Sequence, residues 1–306
     1  MQTSHSLRAS RHAIGWSAAL LLVLSLGGAR CFAGALTDTA DFAEVGAAAE
    51  QYTHKFQSDH VLLVLDIDNT LLAMNNPLGS DQWFEWQKYL IENEPKSKYV
   101  VADSFNGLLD AQGLLYNISH MHPPQPNLPG LMRRAQDLGI HTLVLTSRGP
   151  EFRDATEREF ARNGYDFATT ALPVKEVHDG TFAPYDIDHA DGAGYTPGEV
   201  AKFHLAKPKP VSYQNGILMT SGQNKGAMLL MLLHGAKDPV DAIVYDDDNI
   251  RHVANVYTAL RDRGLEAAAF HYTREDANVK KFDYGSKKDV DHRWRQLTRT
   301  LEEVLQ

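Results

Sequence analysis

Asp66 and Asp68 stand two positions apart in Asp66-Ile67-Asp68-Asn69-Thr70, directly after the apolar run Val61-Leu62-Leu63-Val64-Leu65. Two carboxylates this close repel each other and are costly to desolvate, so a cation or a shared proton is the natural compensation. Further along lie Thr146-Ser147-Arg148, then Lys225, then Asp246-Asp247-Asp248. An Asp-x-Asp-Asn-Thr stretch by itself reads as an Asx-rich turn. The other three groups give it a chemical context, provided the fold brings them to one place.

The elements that must do so are alternating strands and helices. Val61 to Asp66 has no polar interruption and reads as a strand buried on both faces, with the acids at its carboxyl end, where ligands bind in open α/β sheets. Ile140 to Thr146 is the second strand and ends at the hydroxyl pair. A short third strand is expected at Asp166 to Thr170. Ala242 to Tyr245 is the fourth and ends at the acid run, and Leu265 to His271 is the fifth. Two short strands are expected at Val211 to Tyr213 and Ile217 to Thr220, turning at Asn215-Gly216. Helical spacing covers Thr37 to Gln57, Pro129 to Leu138, Glu151 to Asn163, Asn224 to His234 and Asn249 to Arg263, with Gly139, Gly164 and Gly264 as stops. The final helix, Val290 to Leu305, places Trp294, Leu297, Leu301 and Val304 on one face. The fold class is α/β, a Rossmann-like parallel sheet with helices on both faces.

Residues 73–127 interrupt this alternation. Ser80 is an N-cap for a helix carrying Trp83, Phe84, Trp86, Leu90 and Ile91, and a second helix is expected from Tyr99 to Leu109. His122-Pro123-Pro124 and Pro126 mark the exit. The segment reads as a mainly helical insertion between core portions 36–72 and 128–306, a cap over the strand edge on the functional reading and extra core helices on the plainer one. The Gly-, Pro-, Asp- and His-rich stretch from Leu172 to Lys209 has no clear periodicity.

Residues 1–35 stand apart from the fold. Arg8, Arg11 and His12 precede an apolar stretch from Ile14 to Leu26, and Ala33-Gly34-Ala35 is an A-x-A site, the pattern of a cleavable signal peptide. Cleavage would remove three arginines and no acids, taking the formal charge from -9 to -12. It would also remove Cys31, the only cysteine, leaving no thiol for disulfides or catalysis. An acidic mature chain argues against a nucleic-acid partner, whose affinity comes largely from Lys and Arg. Secretion or a periplasmic location follows, with no stable membrane insertion after cleavage.

Asp66/Asp68 at the first strand, Thr146 at the second, Lys225 at a helix start and the 246–248 acids at the fourth strand have the order and placement found in one superfamily. The chain resembles the haloacid dehalogenase (HAD) superfamily, which mostly comprises magnesium-dependent phosphatases. Gly79-Ser80-Asp81-Gln82-Trp83 and Asn224-Lys225-Gly226 further resemble a bacterial branch of that superfamily with no assigned function, near the secreted acid phosphatases. The resemblance implies that Asp66 is the nucleophile and that Asp68 is the acid and base for the leaving alcohol and the hydrolytic water. It implies Mg2+ held by Asp66, the Asp68 main-chain carbonyl and Asp247, with Asp246 or Asp248 supporting and Asp246 taken as the fourth ligand. Thr146, with Ser147, would bind a phosphoryl oxygen, and Lys225 would neutralise charge shared by the phosphate and Asp66. Arg148, by position, would reach substrate.

Lys202, Lys207 and Lys209 are rivals to Lys225, which is preferred for its place at a helix start about twenty residues before the acid run. His120 and His122 have no third zinc ligand, and Trp83 and Trp86 fit a cap core. The expected activity is hydrolysis of a small phosphorylated substrate, with a phosphotransferase or a non-catalytic binding protein on the same scaffold as alternatives.

Overall fold

The computed structural model describes residues 36–176 and 180–305. The expected signal segment, with Cys31 and its cleavage site, lies outside the described residues. The chain begins with β1 (Leu36–Thr39) and α1 (Phe42–Thr53), followed by β2 (Val61–Leu65). The expected helix at Thr37 is thus corrected. Its first residues pair with a strand at the sheet edge, and Asp41 caps the helix by accepting from Ala43 N.

After β2 come β3 (Ala73–Met74), α2 (Asp81–Asn93), α3 (Phe105–Ile118) and β4 (Met121–His122), where β3 and β4 form an antiparallel pair. Ser80 caps α2 through Trp83 N as expected. The second helix begins six residues later than predicted, because Ser104 is its N-cap, and it extends to Ile118. Next are α4 (Leu128–Gln136), β5 (His141–Thr146) and α5 (Arg153–Arg162). The third strand expected at 166–170 does not form; the chain there turns, and Thr170 O accepts from Thr142 N at 2.7 Å.

The stretch without periodicity contains the short α6 (Pro197–Lys202), closed by a Thr196/Glu199 capping box. Then follow β6 (Ser212–Gln214), β7 (Ile217–Met219), α7 (Lys225–His234), β8 (Ala242–Asp247), α8 (Ile250–Asp262) and β9 (Glu266–Tyr272). Asn215 and Gly216 both take left-handed φ, 51° and 74°, the geometry of a tight hairpin turn. The chain ends with α9 (Asp276–Tyr284) and α10 (Lys288–Leu305), of which α9 had no expected counterpart.

Seven strands form one sheet in the order β1-β9-β8-β2-β5-β7-β6, parallel throughout except for β6 on β7. Strand alternation sends Leu63, Leu65, Val244 and Phe270 to the face covered by α1 and α4, and Leu62, Val64, Ile243 and Tyr245 to the face covered by α7 and α8. A sheet clad on both sides is why β2 is apolar at every position. The architecture is α/β and Rossmann-like.

A third cluster joins α2 and α3 to the chain end: Trp83, Leu108 and Leu115 pack with Phe282 and Val290, and Trp294 lies 6.3 Å from Trp83 between ring centroids. Trp83 is therefore a core residue. The expected apolar face of the final helix is only partly used, since Trp294 and Leu297 pack while Val304 is exposed. Among the described residues no helix is long and apolar enough to cross a membrane.

Candidate functional site

β8 and β5 flank β2, with Leu65 in register with Asp246 on one side and Val144 on the other. The carboxyl ends of all three strands therefore open at one edge. Beyond β2 the chain turns at once: Leu71 N and Leu72 N both donate to Ile67 O, and Asn69 takes a left-handed φ of 60°. Asparagine tolerates that conformation better than most residues. Its side chain is also used, since Asn69 Nδ2 donates to Asp248 Oδ2 at 3.0 Å, while Asp248 N donates to Thr70 Oγ1 at 3.0 Å. The turn after β2 and the end of β8 are thus tied together.

Lys225, buried at the first turn of α7, reaches into this edge. Its Nζ donates to Asp66 Oδ1 at 2.5 Å and to Asp247 Oδ2 at 2.7 Å. Gly226 allows the approach, for a Cβ there would lie 2.7 Å from Asn255 Oδ1 and 3.0 Å from the Ala259 Cβ on α8. Burial alone would lower the ammonium's pKa, but Asp247 and Asp66 outweigh it and hold Lys225 charged. Burial pushes the Asp66 carboxyl up to about 6 against the pull of Lys225. Asp247 is also fully buried, yet Lys225 and His252 hold it well below the carboxylate range.

The structure brings together carboxylate oxygens of Asp66, Asp247 and Asp248, all within 4.8 Å of one another. Three hard oxygen donors at this spacing fit a small divalent cation such as Mg2+. Burial, with Asp81, Asp247 and Asp66 nearby, pushes Asp248 well above its ordinary value.

Asp246, expected as a ligand, is corrected. β8 continues two residues further than predicted, and successive side chains of a strand point to opposite faces. Asp247 shares the face of Tyr245, whereas Asp246 turns to the α1 side, beside Leu65 and Phe270. Both Asp246 carboxyl oxygens are buried and have no hydrogen-bond partner among the described residues. Burial, reinforced by Asp247 and Asp66, pushes that carboxyl well above its ordinary value.

Arg148 is buried and forms a fork on Asp68, with Nε to Oδ2 at 2.9 Å and Nη2 to Oδ1 at 2.8 Å. Nη1 donates to Thr156 Oγ1 at 2.8 Å, and the guanidinium lies 4.1 Å from the Tyr116 ring centroid. Thr146 ends β5 as expected, buried, with its Oγ1 accepting from Arg148 N at 3.1 Å. Ser147 has an exposed side chain, and its carbonyl accepts from Gly222 N at 2.8 Å.

The family model that matches the chain covers residues 38–305 and is described as "Protein of unknown function (DUF2608)". The chain belongs to the DUF2608 family. No curated protein and no solved structure matches it. For this DUF2608 chain the site must therefore be read from its own geometry.

Several contributors to the site had no assigned role in the sequence reading. Asn69 and Thr70 follow the acid pair directly, and their small polar side chains were the available signal. Tyr245 was legible only as an apolar strand residue, although its hydroxyl donates to Asp247 Oδ2 at 2.5 Å. Asp81, first residue of α2, has its carboxyl pushed up to about 8 by burial, then by Asp68, Glu85 and Asp66. Its place after an N-cap serine reads as ordinary helix-dipole chemistry.

Proposed function

We propose that the chain is a Mg2+-dependent phosphomonoester hydrolase of the HAD type. One observation carries the reading: Lys225 bridges Asp66 and Asp247 across two neighbouring strand ends, inside a set of three carboxylates spaced for one cation. An isolated acid cluster needs no buried lysine, and a structural ion pair needs no third carboxylate.

In this reading Asp66 attacks phosphorus in line and the leaving alkoxide departs, giving an aspartyl-phosphate that water then hydrolyses. Lys225 offsets the charge of Asp66 and of the phosphoryl oxygens. Asp68 donates a proton to the leaving oxygen and later takes one from the attacking water. Arg148 holds the Asp68 carboxylate in one orientation, a job for which a planar fork is suited. In this reading Thr146 would hydrogen-bond a phosphoryl oxygen, together with the exposed Ser147 beside it. Asp66, Asp247 and Asp248, with the Asp68 main-chain carbonyl, would hold Mg2+, which supplies charge neutralisation and orients the phosphoryl group. The reading includes export, with residues 1–35 as a cleavable signal peptide, and a small phosphorylated substrate.

The test is an assay of the purified protein against a panel of phosphomonoesters, with Mg2+ and with chelator, beside Asp66→Asn. Turnover that needs the metal and vanishes in the variant is expected. Metal-independent turnover, turnover retained by the variant, or none by the wild type refutes the reading.

A further inference from the structure

We infer that Tyr245 is a positioning residue for Asp247, reserving one oxygen of that carboxylate for the divalent cation; this rests on the metal-dependent reading above. Tyr245 and Asp247 are two apart on β8, so their side chains leave the same face of the strand. Tyr245 is fully buried among Leu62, Val64, Ile243 and other apolar side chains. A phenol in such a place is costly unless its hydroxyl is bonded, and packing alone would be served by phenylalanine. The hydroxyl donates to Asp247 Oδ2 at 2.5 Å.

The two oxygens of Asp247 are unequally occupied. Oδ2 accepts from both Tyr245 and Lys225, and His252 Nδ1 stands 3.5 Å from it. Among the described residues Oδ1 accepts only from Asn249 N, at 2.8 Å. A carboxylate oxygen has room for about two such partners. Oδ2 is therefore filled and Oδ1 keeps a free lone pair. Without the phenol, Oδ2 would keep Lys225, which is shared with Asp66, and the longer contact to His252. The carboxylate could then rotate or offer either oxygen, and ligands so loosened bind metal about 10–100-fold more weakly.

The experiment measures Mn2+ affinity by electron paramagnetic resonance and Mg2+ affinity by calorimetry on the full chain. The proteins are wild type, Tyr245→Phe and Tyr213→Phe. Tyr213 is the control, a partly buried tyrosine whose hydroxyl donates to the Leu172 carbonyl at 2.7 Å. Metal-free unfolding midpoints are measured for all three. Tyr245→Phe is expected to weaken both cations tenfold or more, with a midpoint shift no larger than that of Tyr213→Phe, whose cation affinity stays at the wild-type value. Affinity within twofold of wild type in Tyr245→Phe overturns the inference while leaving the metal reading intact. An affinity loss accompanied by a much larger midpoint fall than the control's assigns Tyr245 to packing and also overturns it. A wild type that binds neither cation overturns the metal reading and the inference together.

Discussion

Asp246 offers the sharpest test of the electrostatics, because its carboxyl is fully buried and both oxygens lack a partner among the described residues. Its pKa in the folded metal-free protein lies well above the ordinary 3.8, with burial as the main cause and Asp247 and Asp66 adding to it. An acid whose pKa is raised by folding binds its proton more tightly in the native state. The native state is therefore fully favoured below the unfolded pKa, and stability is lost as pH rises toward the folded one. Within that window each pH unit costs about 1.4 kcal/mol. Asp246→Asn keeps the shape and cannot ionise, while every other acid of the site stays in place. The stability of Asp246→Asn minus that of wild type should accordingly be smallest near pH 4 and grow as pH rises above the unfolded value, by at most about 1.4 kcal/mol per pH unit. Urea denaturation of the metal-free proteins across that range reads the difference directly. A difference that stays flat with pH, or falls, would refute the assignment of a buried, proton-holding carboxyl on the α1 face.

Two further outcomes follow from buried contacts. Arg148→Met should destabilise the protein by about 3–5 kcal/mol, since it leaves Asp68 facing a buried gap. Combined with Asp68→Asn it should cost clearly less than the sum of the single changes, as a double-mutant cycle in urea would show. Gly226→Ala should cost about 1–3 kcal/mol, because its Cβ would press Asn255 and Ala259 and push α7 off α8; a thermal midpoint equal to wild type would refute that close approach.

How much was legible beforehand depended on whether local pattern and tertiary demand agreed. β2 and α8 were readable because a strand covered on both faces is apolar throughout and because Gly264, at φ 72°, stops the helix where glycine should. β1 was not, since Leu36–Thr39 is polar, exposed at one end and ordered by pairing with β9. The 166–170 strand was overread for the opposite reason: Tyr165 and Phe167 are buried aromatics stacked on each other and edge-on to Phe160, and the segment meets β5 through a single bridge at its end, where Thr170 O accepts from Thr142 N. Within the site, Asp66, Asp247 and Lys225 meet as their positions at strand ends and a helix start suggested. The choice between Asp246 and Asp248 turned on where β8 ends: inside the strand Asp246 faces away from Asp247, whereas Asp248 lies past the last strand residue, where the alternation no longer applies. The destination of Arg148 depended on Tyr116 and Thr156, which lie on α3 and α5 and have no sequence proximity to Asp68.

The cluster that joins Trp83 and Leu108 to Phe282, Val290 and Trp294 has a mechanical consequence. α2 and α3 are entered from β2 and leave toward α4, yet their apolar side is closed by the last thirty residues of the chain. They are not held by their two connections alone. Displacing α2 must carry α9 and α10 along as one body or separate Trp83 from Trp294. Loss of the chain end would accordingly be felt first at α2, which begins with Asp81, one of the acids that raise the Asp248 carboxyl.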